Sequence, residues 1–312
     1  MALAVGVRSG RPRDIARMIS LVEDGSPALP SIMADLAPDT GRAYVIGLTG
    51  SPGVGKSTTT TALVSALRES GRRVAVLAVD PSSPFSGGAL LGDRVRMQQH
   101  ALDPGVYIRS MATRGHLGGL SVAAPQALRV LDAAGFHTVL VETVGVGQSE
   151  VEVAGTADAT LVLLAPGMGD GVQAAKAGIL EVADLFVVNK SDRDGAQPLV
   201  RELRNMIALG QYGPAERKPT IVSTVASEGR GIADLLSEIE AFRVFQQGNG
   251  NEDRRRLARA RREVEGLALG RLRTDFATVG QAGLDELAGA VASGRLDPYA
   301  AAGRLLARTG HS

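Results

Sequence analysis

The chain has 312 residues, 44% of them hydrophobic and 21% charged, and a formal net charge of +1. That length accommodates one large core plus appended structure, and near-neutrality gives no global pull toward nucleic acid or a membrane surface. The complete absence of cysteine excludes disulfides, thiolate zinc sites and cysteine nucleophiles, and it agrees with a reducing compartment. Aromatic residues make up 3% with no Trp, so platforms for stacking bases are scarce. No basic start is followed by a long apolar core, and no apolar run approaches the roughly 20 residues of a membrane span. The expectation is a cytoplasmic protein without membrane or nucleic-acid partners.

In chain order, residues 14–34 carry Ile15, Met18, Ile19, Val22, Ile32 and Met33 around Gly25-Ser-Pro27, a pattern for a helical hairpin that packs ahead of the main domain. From residue 43 the pattern becomes apolar strand followed by amphipathic helix, repeated. Strands are expected over 43–49, 74–80, 106–109, 138–142, 159–165, 185–189 and 220–224, with helices near 58–70, 123–134, 172–182, 198–209 and 231–247. Strands apolar on both faces imply a mostly parallel sheet flanked by helices, an α/β fold. Ligand then belongs at the carboxyl ends of the strands. After residue 247 the composition shifts through Gly248-Asn-Gly-Asn251 into a segment with arginines at 254, 255, 256, 259, 261 and 262, followed by helix-like runs at 284–291 and 299–306. The expected organisation is a helical N-terminal extension (1–42), a main α/β domain (43–247) and a helical C-terminal extension (248–312). The arginine segment fits either a dimerising arm or a solvated basic helix.

The phosphate-binding element is Gly50-Ser-Pro-Gly-Val-Gly-Lys-Ser57, placed between an apolar strand and a helix. In that setting Gly50, Ser51, Pro52, Gly53, Val54 and Gly55 form a backbone cradle for a di- or triphosphate at a helix N-terminus, continuing into Thr58. Lys56 is the charge for the β- and γ-phosphates and Ser57 a ligand for Mg²⁺. Ser51 stands where ATPases of the MinD and ParA type carry an extra lysine. Acidic residues end two further strands, Asp80 and Glu142, as candidate Mg²⁺ ligands, with Gly145 placed to meet the γ-phosphate and Asp93 on a glycine-rich stretch as another metal-side acid.

Base choice is written in Asn189-Lys190-Ser191-Asp192, the Asn-Lys-x-Asp form used by GTPases. A carboxylate at 192 accepts from the ring N–H and the amine of guanine, whereas adenine leaves it unpaired. Thr224, Val225 and Ala226 stand where GTPases often have a Ser-Ala turn that supports the base. Val146 occupies the place of the water-orienting glutamine of many small GTPases, and Gln148 comes two residues late, so unaided hydrolysis is expected to be slow. His116, between glycines, reads as a hydrogen-bonded structural residue, and His100, His137 and His311 show no ligand spacing.

Together with Arg109-Ser-Met-Ala-Thr-Arg-Gly-His-Leu-Gly-Gly119, Asp80-Pro-Ser-Ser83 and Val141-Glu-Thr-Val-Gly-Val-Gly-Gln-Ser149, these motifs resemble the MeaB/ArgK family of P-loop GTPases over residues 14–247. The absence of a His-rich tract or cysteine pair argues against the nickel-delivering members of the wider class. The resemblance implies a GTP/GDP- and Mg²⁺-binding homodimer that serves as chaperone to an adenosylcobalamin-dependent methylmalonyl-CoA mutase. It also implies Mg²⁺ and switch roles for Asp80, Asp93 and Glu142, and it matches residues 166–176 to a switch loop with Lys176 as a contact in the activated complex. Lys56, Glu142 and Lys176 are the expected catalytic set. An ATP-using kinase linked to basic amino acid transport is the alternative that Asp192 disfavours.

Overall fold

Seven apolar runs pair into a single sheet in the order β3-β2-β4-β1-β5-β6-β7, every neighbouring pair parallel. The computed structural model describes residues 2–81, 98–100, 102–113, 119–143, 155–167, 182–213 and 216–308. Within them the strands are β1 (Tyr44–Thr49), β2 (Val74–Pro81), β3 (Val106–Thr113), β4 (Thr138–Thr143), β5 (Ala159–Leu164), β6 (Leu185–Val188) and β7 (Thr220–Ser223). The described helices are α1 (Ala2–Arg8), α2 (Pro12–Glu23), α3 (Leu29–Leu36), α4 (Lys56–Glu69), α5 (Gly119–Ala133), α6 (Ala196–Leu209), α7 (Ile232–Gly248), α8 (Asn251–Ala292) and α9 (Pro298–Arg308). The expected helix at 172–182 lies, except for its last residue, outside the described residues. The chain divides into two compact units, Met1–Arg259 and Ala260–Ser312.

In the first unit, β1, β4, β5 and β6 are buried along their whole length. Successive side chains of a strand point to opposite faces, so such strands must be covered twice. Tyr44, Ile46, Leu48, Leu161, Leu163, Leu185 and Val187 pack with Leu63 and Val64 of α4 and Leu235 and Ile239 of α7. On the other face Val45, Leu77, Val139 and Val141 meet α5 and the N-terminal helices, while Val162, Leu164, Phe186 and Val188 meet α6. Ile15, Met18 and Ile19 of α2 are fully buried, each worth about 1.5–3 kcal/mol. Arg109 of edge strand β3 adds an ion pair to Glu23 at 2.5 Å. From β1 the chain moves outward on one side through β2 to β3, returns in β4, and crosses to the other side with β5. The loop after β1 thus opens at the point where the winding changes direction, the place where such sheets take ligand.

The opposite, amino-terminal edge is pinned by charge. Asp158, just before β5, accepts the Val45 N–H at 2.8 Å and pairs with Arg259 at 2.6 Å. Asp184, just before β6, accepts the Thr160 N–H and takes Arg255 in a two-pronged contact at 2.7 and 3.0 Å. Burial opposes the charge on Arg255, but the hydrogen bond and charge of Asp184 outweigh it and raise its pKa. Burial, joined by the Asp158 and Asp184 carboxylates, pushes the Tyr44 hydroxyl far up. It stays protonated and donates to Gln246, whose amide donates to the Asp158 carbonyl. Two of the six arginines of the basic segment are therefore structural ties within the first unit, and neither is simply solvated.

In the second unit, α9 starts at an Asp-Pro junction: the Asp297 carboxylate accepts the N–H groups of Tyr299 and Ala300, both at 3.0 Å, and Pro298 takes the first helical position. Arg308 reaches back to Glu286 of α8 at 3.1 Å, and Leu287 and Ala301 are buried.

Removal of either acid's partnership tests the amino-edge tie. Asp158, whose side chain is 4% exposed, faces an Arg259 that is 19% exposed. Asp158→Ala strands that cation and the Val45 N–H, for an expected loss on the order of 3 kcal/mol in urea denaturation. Arg255→Ala strands the Asp184 carboxylate, which is 10% exposed but keeps the Thr160 N–H, and is expected to cost about 2 kcal/mol. A loss below about 0.5 kcal/mol for either variant would contradict the amino-edge tie.

Candidate functional site

Two glycines of the 50–57 loop are required by what lies against them. A Cβ on Gly50 would stand 2.3 Å from the Leu163 carbonyl oxygen of β5, and one on Gly55 would stand 2.3 Å from Asn189 Nδ2. Both residues also have φ in the left-handed region, +141° and +98°. Gly55 leads directly into α4, whose N-terminus has no side-chain cap. Its first-turn N–H groups are thus left to a ligand, and the helix dipole makes that ligand an anion. Lys56 is buried and folds back into the loop, donating from Nζ to Gly50 O at 2.5 Å and Ser51 O at 3.1 Å.

Beneath the loop, Ser57 and Glu142 meet. Ser57 Oγ donates to Glu142 Oε1 at 2.5 Å, and Thr60 Oγ1 donates to Oε2 at 2.9 Å. Glu142 is 3% exposed, and it arrives here because Leu48 of β1 and Glu142 of β4 are register partners. A hydroxyl and a carboxylate oxygen converging at a helix N-terminus are hard donors of the kind Mg²⁺ takes. The residues therefore fit that ion.

The 189–192 loop is bolted to the phosphate loop by one side chain. Asn189, 3% exposed, donates from Nδ2 to Val54 O at 2.9 Å. Its Oδ1 accepts the Ala226 N–H at 3.1 Å and the Thr224 hydroxyl at 3.2 Å. Three loops that are far apart in the chain thus share one buried amide. Lys190 sits at φ 55°, the only positive φ among the described non-glycine residues, a conformation costing about 1–2 kcal/mol. That turn sends its Nζ to Gly53 O at 2.7 Å. The Ser191 N–H donates to Thr224 O at 3.0 Å, and the Val225 N–H to Arg230 O at 3.0 Å. Asp192 is exposed at the end of this loop.

The structure thus brings together Gly50 to Thr58, Glu142, Asn189, Lys190, Asp192 and Thr224 to Ala226 at the carboxyl ends of β1, β4, β6 and β7. Asp80 is near the end of β2, which pairs with β4, and its side chain lies outside the described residues. Asp93, Gly145 and Lys176 lie outside them as well, as do His116, Val146 and Gln148. Thr60 is a site residue that the sequence motifs do not single out, although its hydroxyl holds the second oxygen of Glu142. Its one sequence signal is its place one helical turn into α4, on the same side as Lys56.

Asn189→Ala removes three buried hydrogen bonds and strands the Ala226 N–H. A fluorescence titration is expected to give GDP binding about 100-fold weaker, equivalent to about 2.7 kcal/mol. Affinity within about threefold of the parent would show that this residue does not hold the loops in place.

Comparison with known proteins agrees with this geometry. A family model described as methylmalonyl Co-A mutase-associated GTPase MeaB matches residues 15–280. A putative GTPase of Pyrococcus abyssi is 43% identical over 303 residues, covering 96% of this chain and 94% of that protein. The GTPase ArgK of Escherichia coli is 38% identical over 274 residues, covering 84% and 80%. A crystal structure of a LAO/AO transport system kinase superposes with a TM-score of 0.71 at 28% identity, covering 97% of this chain and 95% of that one. The family match takes in the whole sheet, both nucleotide-facing loops and most of α8, and the chain belongs to the MeaB family of guanine-nucleotide-binding, GTP-hydrolysing P-loop proteins.

Proposed function

We propose that this GTPase works with Mg²⁺ as a chaperone of an adenosylcobalamin-dependent acyl-CoA mutase, methylmalonyl-CoA mutase, gating cofactor loading and protecting the mutase. The observation that carries the nucleotide half is the Asn189 junction, which makes the base loop and the phosphate loop one rigid unit. The partner half is supported by the family's own description as mutase-associated.

Asp192 accepts the guanine ring N–H and amine, while Lys190 lies along the base with its ammonium on the Gly53 carbonyl. Lys56 turns from the carbonyls of Gly50 and Ser51 toward the β- and γ-phosphates, and backbone N–H groups from Gly50 to Thr58 enclose them. Ser57 gives up its hydrogen bond to Glu142 and presents Oγ as a metal ligand, with Thr60 keeping the carboxylate in place. A Mg²⁺ ion held by Ser57 and Glu142 would supply positive charge to the phosphates. Asp80 and Asp93 complete the metal side, Gly145 meets the γ-phosphate, and Lys176 joins the catalytic set when the mutase docks. The exposed Val264, Leu267 and Leu269 of α8, 68%, 42% and 47% exposed, support a homodimer through the helical extension 248–312, with the extension 1–42 packed on the domain 43–247. The reading places the protein in the cytoplasm with no membrane or nucleic-acid partner. Among the described residues no helix is long and apolar enough to cross a membrane. A kinase role in transport, the activity for which the structural relative is named, is disfavoured by Asp192, which has no acceptor role toward adenine.

Two experiments test this. Asp192→Asn is expected to lose GTP affinity and gain xanthosine triphosphate affinity, each by about 100-fold or more in competition binding, because the amide donates to the oxygen that replaces the guanine amine. Unchanged base preference would remove Asp192 from recognition. Purified methylmalonyl-CoA mutase is expected to raise GTP turnover by at least about tenfold, as activators do for GTPases lacking an orienting group, and Lys176→Ala is expected to abolish the stimulation. Fast hydrolysis without the mutase, or stimulation that survives Lys176→Ala, would contradict the switch-loop role.

A further inference from the structure

The edge of the sheet away from the phosphate loop holds a second concavity that the GTPase reading does not use. A cavity of about 590 Å³ opens at the amino ends of β1, β2 and β4, between the turn at 70–72, the turn at 132–137 and α7. That volume is in the range of small-molecule sites, about 300–1,000 Å³. Its lining sets four arginines, at positions 8, 42, 72 and 243, against two aspartates, Asp39 and Asp132. Both aspartates are already engaged. Asp39 accepts Arg8 Nε at 2.6 Å, and Asp132 accepts the backbone N–H groups of Gly41, Arg42 and Ala43 at the entry to β1. Arg72 has Glu240 at 3.3 Å, a pair 39% and 48% exposed and weakened by solvent.

Arg42 and Arg243 remain. Among the described residues, no carboxylate pairs with either guanidinium. Arg243 lies over the Tyr44 ring at 5.0 Å, and its buried Nε–H has no hydrogen-bond partner. At the same wall, His137 Nδ1 accepts the Arg73 N–H at 3.0 Å. The neutral ring therefore carries its proton on Nε2, where it is a donor.

We infer that this cavity binds a small phosphorylated anion, with the phosphate held by Arg42 and Arg243 and a neutral donor supplied by His137 Nε2. A planar guanidinium matches two phosphate oxygens at once, and the two arginines come from separate elements around a concave wall. The six residues of β1 separate this site from the phosphate loop by roughly 20 Å. Both sites can be filled together.

The test uses the full chain saturated with a non-hydrolysable GTP analogue, so that every phosphate position of the phosphate loop is occupied, at fixed free Mg²⁺. Calorimetric titration with inorganic pyrophosphate is expected to show one additional site that weakens with added salt. Arg42→Ala and Arg243→Met are each expected to weaken it by about tenfold or more, with affinity for the GTP analogue within about twofold of the parent. Arg42 is exposed, so its variant stays interpretable if Arg243→Met disturbs the packing on Tyr44. No additional pyrophosphate site, or a site unmoved by Arg42→Ala, would overturn the inference. Binding of a glutamate-rich peptide without binding of pyrophosphate would also overturn it, by assigning the surface to an acidic protein segment.

Discussion

One buried amide ties the nucleotide side of this molecule together. Asn189 satisfies an acceptor on the phosphate loop and two donors on the 224–226 turn, and at 3% exposure none of these bonds competes with bulk water. Two features of the neighbouring loops follow from that junction. Gly55 must be glycine because the Asn189 amide occupies the space of its Cβ, and Lys190 must turn left-handed so that its ammonium meets the Gly53 carbonyl. Asp192, exposed, stands three residues beyond Asn189 on the loop that this junction holds. The proposed base and phosphate contacts thus share one hydrogen-bonded scaffold, which is preorganisation in structural terms.

The sheet makes this junction possible and also isolates it. Its carboxyl edge gathers the glycine loop, Glu142 and the base loop, because β1, β4, β6 and β7 all run the same way. Its amino edge is closed by a different chemistry, in which Asp158 and Asp184 stand at the entries to β5 and β6 and are capped by Arg259 and Arg255 at the start of α8. The same edge carries the arginine-lined cavity. Catalytic parts and structural charge thus sit at opposite ends of strands only a few residues long.

Much of this is legible in the chain. Buried parallel strands read as unbroken apolar runs, so 43–49, 138–142, 159–165 and 185–189 can be located directly, and the phosphate and base loops announce themselves by glycine spacing and by Asn-Lys-x-Asp. The ties between distant segments are not legible. Nothing local in 254–262 distinguishes Arg255 and Arg259 from their solvated neighbours, because their partners lie 71 and 101 residues away in the chain. A weak hint exists in the single aspartate placed just before each of two apolar strands. The C-terminal helix reads in sequence as separate runs, since Gly270, Gly280 and Gly283 interrupt the pattern, yet α8 continues through all of them. Each glycine costs only about 1 kcal/mol in a helix, less than the rest of a 42-residue helix can absorb. Helix α1 gives no sequence signal of its own, because its alternation of small and apolar residues shows its purpose only against α2 and α5, where Ala4 and Val7 are buried.

The central claim is that a guanine-reading carboxylate and a phosphate loop act as a single preformed site. Direct competition between GTP and ATP for the unmodified protein, at fixed Mg²⁺, tests it most plainly. The account predicts GTP affinity at least about 1,000-fold above that of ATP, because adenine offers Asp192 no paired donors. Equal affinity for the two nucleotides would contradict it.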